Sequence, residues 1–204
     1  FEEVIETTPD FGPAYSSRAQ LENIIHISHY GCMRSSEAEN RALKYARRAT
    51  ELDRADSRAQ LALAWSHLML EQFDLATRHY DLAVRLNESD GWTLTSSALG
   101  LAFSGDHERA GRLADRALEL GIVANRAQWG YLMRVRYLAG DLERALEARK
   151  DAGAAIAAPG WVCAILAQSG RIEEAAHELQ RFHAAARDNW AGPAPWSERE
   201  TIRW

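Results

Sequence analysis

A trio of small and apolar residues returns along the chain in nearly constant register, and this return restricts the possible folds more than any other feature. In the stretch from Gln72 to Leu86, Ala76 is followed by Ala83 and then by Leu86. The same trio stands 34 residues later as Ala110, Ala117 and Leu120, and 34 residues earlier as Ala42, Ala49 and Leu52. Ala145 and Ala175 continue the series at spacings of 35 and 30. A helix-rich period of this length is the mark of a solenoid built from stacked helix pairs. The reason is steric: packed helices lie roughly 8–10 Å apart, so a small residue must stand where they cross. The first alanine of each trio is expected at the crossing within a pair, and the second at the contact with the following pair. Ala110→Leu should then cost about 1–3 kcal/mol through overpacking.

Taken in order, Phe1 to Thr8 has helical apolar spacing and ends at Pro9. Gly12-Pro13 opens a helix predicted to reach Tyr30, and Ser36-Glu37-Ala38-Glu39 reads as a capping box for the next, to about Asp53. Further pairs are predicted over 57–71 with 74–87, 91–104 with 106–120, 125–139 with 141–154, and 159–169 with 171–188. The turns Gly105-Asp106, Gly140-Asp141 and Gly170-Arg171 share a design in which glycine ends one helix in the left-handed conformation. In the first two, the aspartate caps the next helix. The segment from Ala191 to Trp196 reads as a proline-containing linker, and Ser197-Glu198-Arg199-Glu200 opens a final helix. Residues 1–190 are thus expected to form the repeat array, and 191–204 the linker and the start of a capping helix. Trp190, Trp196 and Trp204 would cover the exposed apolar end of the last pair. No methionine opens the chain and both ends interrupt a helical pattern, so a fragment of a longer protein is expected.

Composition closes several routes. A net charge of −5 with no dense Lys/Arg block argues against nucleic-acid binding by this segment. Cys32 and Cys163 lie in different repeats, which points away from a disulfide framework and towards a reducing cytoplasm. No apolar run approaches the length of a membrane-spanning helix, and no signal-peptide pattern opens the chain.

Beyond the alanines, Trp129, Leu132, Met133, Gly140, Ala145 and Ala152 follow one another as the residues of a tetratricopeptide repeat do, as do Leu63, Ala64, Ala76, Tyr80 and Ala83. The chain resembles that family as far as about Asp188. It departs at the final proline of the repeat, kept at Pro9 but replaced by Arg54 and Glu88. The resemblance implies an all-α, right-handed superhelix of about five helix pairs. A narrower likeness lies in the phrases ARRATELDRADSRAQLALAWSHLM, AVRLNESDGWTL, ALGLAFSGD and NWAGPAPWSERETIRW. These resemble the carboxy-terminal repeat region of bacterial transcriptional activators of the Streptomyces antibiotic regulator and winged-helix types. That likeness implies a regulatory, protein-contacting role. Similar repeat regions also follow nucleotide-cyclase domains or stand alone as scaffolds.

Sites of chemistry are few. His26, His29 and Cys32 are spaced so as to share a helix face and could ligate zinc, but no nearby fourth ligand completes a closed site. A polar helix end followed by an unusual loop explains them as well. No nucleophile elbow, phosphate-binding glycine loop or HExxH occurs, and no enzymatic activity or cofactor is expected. Acidic pairs such as Glu173-Glu174 fall in first helical turns, where they complement the dipole.

The surface expected to act is the concave one, lined by the first helix of each pair and suited to a peptide, a partner helix or a second copy. Aligned to the repeat, the inner positions are Gln20, Asn23, Arg58, Trp65, Met69, Trp92, Thr95, Phe103, Arg134 and Tyr137. Trp, Tyr and Arg most often carry binding energy, although Trp65 and Phe103 could equally pack between helices. The family's carboxylate clamp requires a Lys that has no match here beside Asn23.

Overall fold

The computed structural model describes residues 1–156 and 159–203. A short helix, α1 (Glu2–Thr7), precedes five helix pairs: α2 (Gly12–Ser28) with α3 (Ser36–Leu52), α4 (Ser57–Met69) with α5 (Phe73–Leu86), α6 (Gly91–Phe103) with α7 (His107–Glu119), α8 (Arg126–Leu138) with α9 (Leu142–Ile156), and α10 (Pro159–Gln168) with α11 (Ile172–Asp188). A last short helix, α12 (Glu198–Arg203), follows. The two helices of each pair pack on each other, and α3, α5, α7 and α9 each also pack on the first helix of the next pair. The architecture is an all-α solenoid of the tetratricopeptide kind. No helix among the described residues is long and apolar enough to cross a membrane.

The alanine register explains the stacking. Ala42, Ala76, Ala110 and Ala145 have no exposed surface, and Ala175 very little. Ala49, Ala83, Ala117 and Ala152 are equally buried. Helix α4 is buried on nearly every side, because α2, α3, α5 and α6 all pack against it. Its sequence, SRAQLALAWSHLM, therefore lacks the polar face of a surface helix.

The repeated turns form as their residues require. Gly105, Gly140 and Gly170 take φ of 85°, 80° and 74°, the left-handed region that glycine enters without a steric cost. Asp106 and Asp141 then accept hydrogen bonds from the backbone N–H of Arg109 and Arg144, each at 3.1 Å. The start of α3 differs from expectation. Ser35, one residue earlier than Ser36, is the cap, because its extended backbone (φ −143°, ψ 139°) aims its hydroxyl at the N–H of Ala38. A capping box does occur where Asn125 and Gln128 bond each other's backbone N–H.

The fifth pair is set off from the others. Its spacing from the fourth is shortest, and Gly153 bends the end of α9 with φ 70° and ψ 163°. Ion pairs hold successive pairs in place: Asp81 to Arg109 and Arg149 to Glu178 between outer helices, and Asp115 of α7 to Arg136 of α8.

Candidate binding groove

Helices α2, α4, α6 and α8 pack in series and form the inner layer. Phe103 and Trp161 meet along this layer. These rings belong to the third and fifth pairs, yet their centroids are 6.2 Å apart. They reach towards each other across the intervening α8. The array also curls, since the Tyr30 ring of the first pair lies 5.9 Å from that of Phe182 in the fifth, which four steps of a straight stack would hold roughly 32–40 Å apart.

The sequence-predicted inner residues divide by burial. Asn23 (2% exposed), Trp65 (4%) and Thr95 (0%) are enclosed between helices. Asn23 donates to Ser66 Oγ at 3.1 Å and ties α2 to α4. Trp65 Nε1 donates to Ser96 Oγ at 2.8 Å and ties α4 to α6, with its ring edge-on to both Tyr80 and Phe103. Thr95 bonds the carbonyl of Gly91 within its own helix. These three side chains position the wall and do not form its surface. Gln20, Met69, Trp92, Arg134 and Tyr137 are half-buried, while Arg58 and Phe103 are exposed.

A line of rings gives the concave face its character. Trp65 meets Phe103, Phe103 meets Trp161, and Trp161 meets Tyr137 edge-on at 5.6 Å. Gln168 donates to the Tyr137 hydroxyl at 2.9 Å. Trp92 and Tyr131 form a second ring pair with centroids 5.4 Å apart. Tyr131, Trp161 and Gln168 were not singled out from the sequence, although a signal existed. Tyr131 and Trp161 stand in one register, each 14 residues before the crossing alanine of its own pair.

Charge in the groove is sparse. Arg58 pairs with Asp90 at 2.9 Å at its edge. Burial works to raise the Asp90 carboxyl, but hydrogen bonds from Thr93 and from Arg58 outweigh it and hold the group below its ordinary value. Arg134 lies between the rings, its Cζ 5.7 Å from the centroid of Trp161, and burial lowers its guanidinium. Burial likewise raises the phenol of Tyr131. The indole N–H of Trp92 is buried without a hydrogen-bond partner.

At the far end, the chain returns to its beginning. The N–H of Ala191 donates to the carbonyl of Tyr30 at 2.8 Å, and the Tyr30 ring lies 5.9 Å from that of Phe182. Gly31 is buried beneath the Trp190 ring and the backbone of Gly192. Trp190 thus covers the loop between α2 and α3 in the first pair. The expected covering role of Trp204 lies outside the described residues.

Two features lie outside the groove. Among the described residues, no group of three or more His, Cys, Asp or Glu side chains is placed to hold a metal ion, and His26, His29 and Cys32 sit where α2 gives way to the following loop. A cavity of about 210 Å³ opens on the outer face between α5 and α7, where Arg85, Arg109 and Arg112 surround Val84 and Leu113. Arg109 is held there by Asp81 and Asp106.

No family model and no curated protein matches the chain. Among solved structures, it is similar to YrrB, described as a TPR protein with an unusual peptide-binding site. The two share 17% sequence identity at a TM-score of 0.51, over 100% of this chain and 96% of that one. At this identity the likeness shows the fold: a solenoid of tetratricopeptide-type helix pairs.

Proposed function

We propose that the chain is a protein-interaction module that receives a partner peptide or helix along its concave face. The observation that carries this reading is the ring line Phe103–Trp161–Tyr137, drawn from three inner helices onto one curved surface. Rigid aromatic side chains offer large contact area at little entropic cost, which is why they anchor interfaces. The peptide-binding site described for YrrB supports the same reading. Of the residues expected from sequence, Phe103, Arg134, Tyr137, Trp92, Met69, Gln20 and Arg58 would meet the partner, joined by Trp161 and Tyr131. Asn23, Trp65 and Thr95 would hold the helices that present them.

The reading extends to biology as the sensing module of a bacterial transcription regulator, with occupancy of the groove altering a domain elsewhere. That step rests on the sequence phrases that resemble such activators. A second reading is the same module as a free-standing scaffold or attached to a nucleotide cyclase. The sequence encoded ahead of Phe1 separates these readings: a winged-helix pattern supports the regulator, a cyclase domain or an immediate start codon the second reading.

The interaction itself is tested by selecting binders from a library of random linear peptides on the purified chain. Phe103→Ser combined with Tyr137→Ser should abolish their binding while the helical circular dichroism is retained. Binders that are indifferent to both changes would reject the concave face as the site.

A further inference from the structure

Arg134 stands apart from the other arginines of the chain. Its one hydrogen bond runs from Nη1 to the carbonyl of Gly130, a turn earlier in its own helix, at 3.4 Å. Its guanidinium rests on Trp161, and no carboxylate faces it among the described residues. Arg136, two residues on and buried, pairs with Asp115, and Arg149 pairs with Glu178. Among the described residues, every other arginine without a carboxylate partner is exposed to water. Arg134 alone is both sheltered and uncompensated. A guanidinium withdrawn from water without a counter-ion is costly, and a cation–π contact recovers only part of that cost.

We infer that Arg134 is the anion subsite of the groove and takes the side-chain carboxylate of an Asp or Glu within the partner peptide. This deepens the peptide-binding reading above and rests on it. With Nη1 turned towards Gly130, the Nε–Nη2 edge remains to offer a carboxylate two parallel N–H groups, while Trp161 backs the ion. The charge balance favours a carboxylate over a phosphate. A single cation among rings neutralises one negative charge, and no second basic side chain joins Arg134 against Trp161. The position favours an internal residue over a chain end. Tyr131 lies one turn before Arg134, beside Trp92, and Tyr137 one turn after, bonded to Gln168, so ring-lined surface continues on both sides. The partner is therefore an apolar or aromatic peptide with one acidic residue at its centre.

The test uses the 204-residue chain and random linear peptides displayed with both ends blocked. The enriched peptides should share an Asp or Glu at one position. Changing that residue to Gln or Asn in a synthetic copy should weaken binding by about tenfold to a hundredfold, and Arg134→Gln should do the same to the unchanged peptide. The two changes together should cost little more than either alone, because each removes the same contact. Arg134→Lys should restore part of the affinity. The peptide substitution needs no altered protein, so it decides the matter even if Arg134→Gln fails to fold. Enriched peptides with no acidic preference, or a preference that survives Arg134→Gln, would overturn the inference and leave the peptide reading standing. A synthetic copy that becomes sensitive to Arg134→Gln only when its carboxy terminus is left unblocked would overturn the internal placement. No enrichment over bare support would overturn the peptide reading, and this inference with it.

Discussion

The ring of Tyr80 fills the space that any side chain at Gly100 would need. A Cβ built on Gly100 would stand 2.1 Å from Tyr80 Cζ and 2.2 Å from its hydroxyl oxygen. Helix α6 can approach α5 this closely because residue 100 has no side chain, so the glycine serves packing here and not a turn. Gly100→Ala should therefore destabilise by about 1–3 kcal/mol, despite the better helix propensity of alanine. In the Tyr80→Leu background the same change should cost much less. Urea unfolding of the four proteins measures the coupling, and additive costs would show that the ring does not oppose residue 100.

Tyr80 also carries a hydroxyl that is fully buried without a hydrogen-bond partner, and burial pushes its pKa well above the ordinary value. Tyr80→Phe removes an unsatisfied polar group while keeping the ring. Its expected effect is a gain of about 1 kcal/mol in the same unfolding experiment.

The hydrogen bond from Trp65 to Ser96 is buried and joins the inner helices of the second and third pairs. Ser96→Ala leaves the indole N–H without an acceptor and should cost about 1–3 kcal/mol. A cost confined to stability, with peptide binding unchanged, would agree with Trp65 positioning the wall. Lost binding at full stability would instead place Trp65 on the contact surface.

Stability should depend on pH through His79. Its ring stacks on that of His67 with centroids 5.4 Å apart, and its Nδ1 bonds Gln60 at 2.8 Å. Burial, and then the nearby His67, lower the His79 pKa from 6.5. The unfolded chain therefore binds a proton more readily than the folded one. Stability is held above pH 6.5 and falls as pH drops from there towards the lowered value. Burial and the charge of Arg34 lower His26 as well, with the same sign. Thermal melts between pH 7 and 5 should show Tm falling with acidity, and His79→Asn should reduce the slope without removing it.

The closing contact between the chain ends gives a further prediction. A Cβ on Gly31 would stand 2.5 Å from the backbone nitrogen of Gly192 and 2.8 Å from the Trp190 ring, at a φ of 84°. Gly31→Val should release the segment from Trp190 to Gly192. Hydrogen exchange at the amide of Ala191, whose acceptor is Tyr30, reads this directly. Faster exchange at Ala191 with unchanged protection in α4 to α7 is the expected pattern.

The chain's own residues determine the pairing of helices, their lengths and their turns. Alanines in register permit close crossing, glycines end helices, and aspartates begin them; each is a local or nearest-neighbour requirement, so each can be read along the sequence. Curvature was decided elsewhere. It is set by how far every pair rotates on the last, a property of whole interfaces such as Tyr80 against Gly100 and the bend at Gly153. Only that curvature brings Tyr30 to Ala191 across the entire array. It also decides that Trp65 is enclosed while Arg134, of equivalent register one pair beyond its neighbour, is left facing rings with no carboxylate. Alignment to the repeat offers candidate inner positions, but which of them line a surface and which are sealed beneath it depended on the packing of residues far apart in the chain.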